Sequence, residues 1–351
     1  MSGLSGTHSR VREGVSPGEH PAKSTEDLDT QEGIMSRVAA IDCGTNSIRL
    51  LIAEVTVHDD GTRELRDLHR EMRIVRLGQG VDATGRLSEE ALERTRRALH
   101  DYDERIREES VERTRMVATS ATRDAANRED FFGMVRETLG VDAEIITGEE
   151  EARLSFVGAV GDLDPADGPF LVADVGGGST ELVLGHWDGK EAEILGSHSA
   201  DIGCVRLTER CLHTDPATAD EVKSASELTR EILDEAFAAV DVSTARRWVG
   251  VAGTVTTLSA IAHGLSEYDP AAIHLSRVSR TGVDETAREL LAMDHDRRAA
   301  LGPMHPGRVD VIGGGALVVS VLAAELAERA GITDITVSEH DILDGIALSI
   351  D

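Results

Sequence analysis

The sequence predicts an α/β fold made of two similar halves, because one strand–turn–strand unit occurs twice in the chain. Residues 38–51 and residues 171–184 each contain an apolar strand, a turn rich in glycine and small polar residues, and a second apolar strand. The first strand ends on an aspartate in both copies, Asp42 and Asp174. An Asp-Gly pair then predicts a hairpin into a third strand in both copies, at residues 60–61 and 188–189.

The turn of the second copy carries the stronger functional signal, since three glycines follow its aspartate. Without Cβ atoms, these glycines allow several backbone N–H groups to approach one anion together. Asp174 and Glu181 are placed to hold a Mg²⁺ ion beside the bound oxyanion. A tight hairpin that needs glycine only for its backbone geometry is the alternative interpretation. The candidate phosphate-binding residues of this copy are Gly176, Gly177, Gly178 and Ser179.

The first copy supplies an equivalent turn, in which Asp42 matches Asp174 and Gly44 matches Gly176. The repeat therefore predicts two phosphate loops that face each other, and Asp42 becomes a third candidate ligand for the metal ion. The candidate phosphate-binding residues of this copy are Gly44, Thr45, Asn46 and Ser47.

Three motifs in this order resemble the exopolyphosphatase / guanosine pentaphosphate phosphohydrolase (Ppx/GppA) family. They are Ala-Ile-Asp-Cys-Gly-Thr-Asn-Ser-Ile-Arg-Leu at residues 40–50, Gly-Glu-Glu-Glu-Ala-Arg-Leu at residues 148–154, and Val-Gly-Gly-Gly-Ser-Thr-Glu-Leu at residues 175–182. The resemblance implies an actin-like (ribonuclease H-like) fold of duplicated domains. Each domain is expected to have a mixed five-stranded sheet flanked by helices, with the active site in the cleft between the domains.

The candidate general base is Glu151. Thr147 and Glu150 predict a capping box at the start of a helix, with Glu150 reaching back to Thr147. Helical spacing then places Glu151 on the same inward face as Leu154, Ser155 and Gly158. The resemblance implies that the glutamate directly before Ala-Arg activates the attacking water. The alternative is that residues 149–151 only complement the helix dipole.

Arg123 is the second candidate catalytic residue. It follows an apolar strand, residues 116–119, and a run of small residues that opens a new helix. The resemblance implies that Arg123 holds the phosphoryl oxygens while charge shifts in the transition state. An ion pair with Asp124 or Asp130 is the alternative role.

Composition limits the partners and the location. A net charge of −29 argues against nucleic acid and against an anionic membrane as partners. Three cysteines without a Cys-x-x-Cys pair fit a reducing compartment. The polar start and the lack of a long apolar run lead to the expectation of a cytoplasmic protein.

We expect a disordered tail over residues 1–35, a first domain over 36–158 and a second domain over 159–339. A helix near residues 340–351 is expected to return to the first domain. The resemblance implies the short two-domain form of the family, without the C-terminal HD-type domain of longer relatives. A groove for long chains would then need a second copy, so we expect a homodimer.

The predicted function is hydrolysis of terminal orthophosphate from inorganic polyphosphate, of short chains in particular, with Mg²⁺ or Mn²⁺ as cofactor. Guanosine pentaphosphate 5′-phosphohydrolase is the nearest alternative, with guanosine pentaphosphate or other nucleotides as ligands. An alternative of another class is a module that senses polyphosphate or nucleotides without turnover. A phosphotransferase that acts on nucleoside diphosphates also stays open.

Overall fold

The computed structural model of the chain describes residues 34–350. The predicted tail lies outside these residues, except for Ile34 and Met35. These two residues belong to the first strand, where they pair with Val57 and Thr56 of the second strand. The first strand therefore begins inside the predicted tail, because antiparallel pairing extends to its first residue.

The first half of the chain forms a mixed five-stranded sheet with five helices. Its strands are β1 (Ile34–Cys43), β2 (Ser47–Val57), β3 (Arg63–Ile74), β4 (Arg113–Ala118) and β5 (Ala143–Ile145). Its helices are α1 (Val81–Thr84), α2 (Glu89–Glu108), α3 (Ser120–Asp124), α4 (Arg128–Leu139) and α5 (Gly148–Val160). The strand order is β3-β2-β1-β4-β5. Strands β1, β2 and β3 are antiparallel, whereas β4 and β5 extend the sheet in parallel.

The second half forms a six-stranded sheet, in the order β10-β11-β9-β6-β7-β8, with eight helices. Its strands are β6 (Phe170–Val175), β7 (Thr180–Trp187), β8 (Ala192–Ala200), β9 (Arg247–Val251), β10 (Arg277–Ser279) and β11 (Asp334–Val337). Its helices are α6 (Cys204–Cys211), α7 (Ala219–Ala239), α8 (Ala252–Ala262), α9 (Pro270–Ile273), α10 (Arg280–Ala292), α11 (His295–Ala299), α12 (Ile312–Ala330) and α13 (Ile342–Leu348).

The two sheets agree with the predicted fold class, and the second has one strand more than the five expected. The additional edge strand, β10, is three residues long and buries only Val278, which is too short for a recognisable alternating pattern. The two Asp-Gly hairpins are confirmed, with Gly61 and Gly189 at φ values of +83° and +98°. Ser88 caps α2, since its hydroxyl accepts a hydrogen bond from Ala91 N at 3.2 Å.

The repeat is visible in individual hydrogen bonds. The turn between β1 and β2 is closed by a bond from Gly44 N to Ser47 O, and the turn between β6 and β7 by a bond from Gly176 N to Ser179 O. Both bonds are 3.0 Å long. The backbone of the two halves is therefore equivalent at the glycine turns.

Helix α5 lies between the two sheets and contributes to both hydrophobic cores. Leu154 packs with β1, β2 and α13, whereas Phe156 packs with β6, β7 and β9. Residues 34–350 belong to one compact unit. The domain boundary between residues 158 and 159, in the last turn of this shared helix, therefore stays a prediction.

Helix α13 follows the second sheet in sequence but packs on the first. Its Ile342 and Ile346 belong to a buried cluster with Val38 of β1 and Leu51 of β2. No helix within residues 34–350 combines the length and the apolar character that crossing a bilayer requires.

Helices α5 and α13 contact each other through glycine, and we expect Gly158→Ala to destabilise the fold. A Cβ atom at Gly158 would lie 1.8 Å from Asp341 O, so the two backbones would have to move apart. Overpacking of this kind costs about 1–3 kcal/mol, measurable as a lower urea midpoint. Gly133→Ala is the matched control, because this glycine of α4 has no atom within 4 Å of its Cβ position. The control should be neutral or stabilising by about 0.5–1 kcal/mol. A Gly158→Ala protein as stable as this control would contradict the packing.

Candidate active site

The two predicted phosphate loops, residues 44–47 and residues 176–179, contact each other between the sheets. A Cβ atom at Gly177 would lie 2.9 Å from Thr45 Cβ and 3.2 Å from Asn46 N, so only glycine fits at this contact. Asn46 Oδ1 is buried and has no hydrogen-bond partner in the described part of the chain. An unpaired buried acceptor beside two glycine loops indicates a place for a ligand.

A cavity of about 90 Å³ lies where the loops meet. Two predicted site residues are not part of its lining: Arg123 contacts Glu151 instead, and Gly178 lines a smaller neighbouring cavity. The structure brings together the other predicted site residues around this cavity, namely Asp42, Gly44, Thr45, Asn46, Ser47, Glu151, Asp174, Gly176, Gly177, Ser179 and Glu181.

The two halves differ in charge at one equivalent position of the repeat. Antiparallel pairing places Arg49 opposite Asp42 in the first half and Glu181 opposite Asp174 in the second. Arg49 donates to Asp42 Oδ2 from Nε at 3.0 Å and from Nη2 at 2.7 Å, and its Nη1 pairs with Asp341. The first half thus neutralises its aspartate, whereas the second half places two carboxylates face to face. Like charges directly opposite on a sheet are destabilising unless a cation lies between them.

Asp174 and Glu181 are both buried, with exposed fractions of 7% and 2%. They accept hydrogen bonds from the hydroxyls of Ser155 at 3.2 Å and Ser199 at 2.9 Å. Burial raises the pKa of both carboxyl groups, and Glu181 raises the pKa of Asp174 further. This pair of hard oxygen donors is therefore suited to a divalent cation that compensates its charge.

Glu151 lies in the first turn of α5 and is buried on the same face as Ser155, as its spacing predicts. Burial and the neighbouring Glu181 raise the pKa of Glu151, while Arg123 opposes the shift. Arg123 Nη1 lies 3.2 Å from Glu151 Oε2. Arg123 thus pairs with the candidate base; of the two alternative partners, Asp130 is not its partner, and the side chain of Asp124 lies outside the described part of the chain.

Glu150, the neighbour of Glu151, differs from the prediction. The Thr147 hydroxyl accepts a hydrogen bond from Glu150 N at 3.1 Å, as a cap should. The Glu150 carboxylate accepts from Arg115 Nη2 at 2.8 Å instead of reaching back to Thr147. The predicted capping box is wrong in this half, because a charged donor is a stronger partner than a backbone amide.

Arg308 is a residue of the site that sequence reasoning missed. Asp310, two residues after Arg308, accepts a hydrogen bond from Arg76 Nη2 at 2.6 Å and does not pair with Arg308. Arg308 donates to Thr257 Oγ1 at 3.1 Å, and a Cβ atom at Gly253 would lie 2.0 Å from Arg308 Nη2. Burial lowers the pKa of Arg308, and no described carboxylate lies within ion-pair distance of it. A half-buried guanidinium without an acidic partner among the described residues indicates a place for an anionic ligand.

The third glycine run, residues 313–315, serves close helix packing, since a Cβ atom at Gly314 would lie 2.4 Å from Thr208 Oγ1 of α6. Val311 and Ile312, directly before these glycines, line the cavity. The start of α12 is therefore part of the cleft.

A larger cavity of about 460 Å³ adjoins the first one. Arg49, Ala252, Gly253 and Arg308 line both cavities and form the passage between them. The larger cavity is also lined by Tyr268, Met304 and His305. A ligand longer than one phosphate group therefore has room to extend from the loops past the two arginines.

Comparisons with known proteins agree with this geometry. A model of the Ppx/GppA phosphatase family matches residues 52–350. Exopolyphosphatase 2 of Mycobacterium tuberculosis is 61% identical over 321 residues, which are 90% of this chain and 99% of that protein.

Two crystal structures are similar over most of the chain. The structure of an exopolyphosphatase-like protein has a TM-score of 0.84 and 44% identity, and covers 90% of this chain and 97% of its own. An exopolyphosphatase from Cytophaga hutchinsonii has a TM-score of 0.78 and 26% identity, with 88% and 96% covered. These similarities confirm the predicted fold class of two actin-like mixed sheets. The chain belongs to the Ppx/GppA phosphatase family.

Proposed function

We propose that this protein is an exopolyphosphatase, which hydrolyses the terminal phosphoanhydride bond of inorganic polyphosphate and releases orthophosphate. The observation that carries the proposal is the contact of two glycine loops around a cavity that the buried carboxylate of Glu151 lines. The name of the M. tuberculosis relative, Exopolyphosphatase 2, supports the same activity.

Water is the nucleophile in this proposal. Glu151 accepts a proton from the water, whose oxygen bonds to the terminal phosphorus while the bridging P–O bond breaks. Orthophosphate leaves, and the shortened chain keeps the bridging oxygen. The raised pKa of Glu151 suits this role, because a base with a pKa nearer to neutral holds the proton more readily. Arg123, 3.2 Å from Glu151, would stabilise charge on the transferring group if its side chain turns toward the cavity.

We assign Mg²⁺, or Mn²⁺, to the acidic pair of the second half. Asp174 and Glu181 are buried, face each other across two strands and lack an arginine partner among the described residues. Asp42, the third predicted ligand, already accepts two hydrogen bonds from Arg49, so we expect it to contribute less. The cation would neutralise phosphate oxygens held by the two loops.

The rest of the chain of phosphates would extend past Arg49 and Arg308 into the larger cavity. Both guanidinium groups line the passage, and bidentate contacts with phosphate oxygens are typical of arginine. The limited volume, about 460 Å³, supports a preference for short chains.

Guanosine pentaphosphate 5′-phosphohydrolase is the second candidate function. Tyr268 and Met304 give the larger cavity an apolar part that could hold a nucleoside. A sensing module without turnover would need the loops but not a buried carboxylate beside them, so Glu151 argues against it.

The test is release of orthophosphate from short polyphosphate, long polyphosphate, guanosine pentaphosphate and ATP, with Mg²⁺ or with EDTA. We expect the highest kcat/KM for short polyphosphate and loss of activity in EDTA. Release from guanosine pentaphosphate alone would favour the second candidate. Binding of polyphosphate without release of orthophosphate would contradict the hydrolase.

We expect Mg²⁺ to raise the melting temperature through the acidic pair. At about 100 times its dissociation constant, a ligand that binds only the folded state adds about 2.7 kcal/mol to the free energy of unfolding. The double variant Asp174→Asn/Glu181→Gln should lose this response, and in EDTA it should melt higher than wild type because charge repulsion is removed. Asp142→Asn, on an exposed residue, is the control and should keep the response. An equal Mg²⁺ response in the double variant would contradict the assignment.

Two further expectations from the sequence stay predictions. The homodimer is checked by the mass of the protein in solution, and the cytoplasmic location by fractionation of cells. Neither enters the proposed reaction.

A further inference from the structure

Asp162, His274 and His340 form a cluster outside the catalytic cavity. His340 Nδ1 lies 2.7 Å from Asp162 Oδ2, and His274 Nε2 lies 3.5 Å from the same oxygen. Ligand atoms of the three residues all lie within 4.8 Å of one another, and the two imidazole centroids are 4.6 Å apart. Two imidazoles and one carboxylate are the donor set that zinc and similar transition-metal ions select.

The distances from Asp162 Oδ2 to the two histidine nitrogens are close to those between ligand atoms around a tetrahedral ion. Metal–ligand bonds of 2.0–2.1 Å place neighbouring ligand atoms about 3.3 Å apart. To bind such an ion, the distance of 2.7 Å between His340 Nδ1 and Asp162 Oδ2 has to increase, and the distance of 3.5 Å between His274 Nε2 and Asp162 Oδ2 has to decrease slightly. His274 Nδ1 accepts a long hydrogen bond from Glu339 N at 3.3 Å, which is given up when metal binding at Nε2 moves the ring proton to Nδ1. Partial exposure of the three side chains leaves room for water at the fourth position.

The backbones that carry the two histidines are fixed by hydrogen bonds. Ser338 Oγ donates to His340 O at 2.8 Å and accepts from His340 N at 3.1 Å. Leu275, directly after His274, donates from its backbone N to Val337 O at 2.7 Å. Little rearrangement of the chain is therefore needed to place both rings around one ion.

We propose that Asp162, His274 and His340 bind a divalent transition-metal ion, with Zn²⁺ preferred, at a site separate from the catalytic cation. Asp162 follows α5, His274 lies between α9 and β10, and His340 lies between β11 and α13. The ion would link three loops that are distant from one another in sequence. Because α5 carries Glu151 at its first turn and α13 packs on the first sheet, the ion would fasten these two helices to each other.

The test compares Zn²⁺ binding by wild type and by His274→Gln/His340→Gln, measured by competition with a chromophoric chelator in excess Mg²⁺. We expect the double variant to bind the ion more than about 100-fold more weakly, since loss of supporting partners alone costs 10–100-fold. Zinc chloride should raise the melting temperature of wild type but not of the variant. Co²⁺ should give visible absorption bands with wild type only.

The matched control is a second cluster of histidine and carboxylate side chains. His100, Asp101 and Glu104 of α2 also bring three ligand atoms within 4.8 Å, but all three are exposed and only one is a histidine. His100→Gln should leave zinc affinity unchanged. Asp162→Asn, which keeps both rings, replaces the double variant if that protein does not fold. Equal zinc affinity and equal stoichiometry in wild type and in the cluster variant would overturn the proposal.

Discussion

Glu151→Gln is expected to lower kcat for orthophosphate release from polyphosphate by about 10²–10⁴-fold, the usual contribution of a general base. The amide has nearly the same shape, so binding of polyphosphate should be retained. Stability should stay equal or rise, because burial raises the pKa of Glu151 and its charge is therefore a cost to the folded state at neutral pH. The measurement combines steady-state kinetics, polyphosphate binding and thermal unfolding of the same preparations.

Glu150→Gln is the matched control for this experiment. Glu150 belongs to the same helical turn but pairs with Arg115 at 2.8 Å, and its side chain is 43% exposed. Its kcat should equal that of wild type. If Glu151→Gln kept full activity, or if both variants lost activity alike, Glu151 would not be the base.

Arg49→Met is expected to cause the largest loss of stability. Arg49 pairs with both Asp42 and Asp341, which are 5% and 3% exposed. Burial alone would lower the pKa of Arg49, but the two carboxylates outweigh it and hold the pKa above its usual value. Breaking a buried ion pair costs about 3–5 kcal/mol, because the remaining charge lacks compensation. Urea unfolding in EDTA measures the change.

The loss caused by Arg49→Met should depend on pH with a defined sign. Burial raises the pKa of Asp42 even with Arg49 present, so the folded pKa lies above the unfolded one. Such a group stabilises the fold at low pH and loses this contribution as the pH rises through its folded pKa. The deficit relative to wild type should therefore shrink as the pH falls. Removing Arg49 also removes the influence that lowers the pKa of Asp42, which strengthens the trend.

Arg97→Met is the control for stability. Arg97 pairs with Glu93 one helical turn away, and its side chain is 72% exposed. Exposed pairs of this kind contribute about 0.3–0.5 kcal/mol. An Arg49→Met protein that unfolds at the same urea midpoint as this control would show that the buried pairs do not stabilise the fold.

Local sequence signals predicted most of the features that position the site. The glycine turns, the Asp-Gly hairpins and the inward face of α5 each depend on residues that are close together in sequence. These signals are sufficient because the same unit occurs twice, and the repeat shows which residues are equivalent. The same reasoning could have predicted that Arg49 lies opposite Asp42, because Arg49 follows Asp42 by seven residues, as Glu181 follows Asp174.

The remaining features depend on contacts between distant parts of the chain. Asp341 reaches Arg49 only because α13 returns to the first sheet, and Arg308 reaches the cleft only through the turn before α12. Strand β10 is too short to have a pattern, and Glu150 of α5 pairs with a charged residue of β4, Arg115. Sequence spacing carries no information on such pairs, because tertiary packing selects the partner.

Opposite charges at equivalent strand positions give the cleft a direction. Arg49 lines both cavities, whereas Asp174 and Glu181 line only the first. A bound chain is therefore expected to place its free terminus at the acidic pair, where we propose the cation. Polyphosphate has two identical termini, and either one can enter. Each phosphate chain of guanosine pentaphosphate has one free terminus, and the attached nucleoside would then lie beyond the arginines, in the larger cavity. A polyphosphate capped at both ends, such as one with a nucleoside on each terminus, has no group to offer there and should resist hydrolysis.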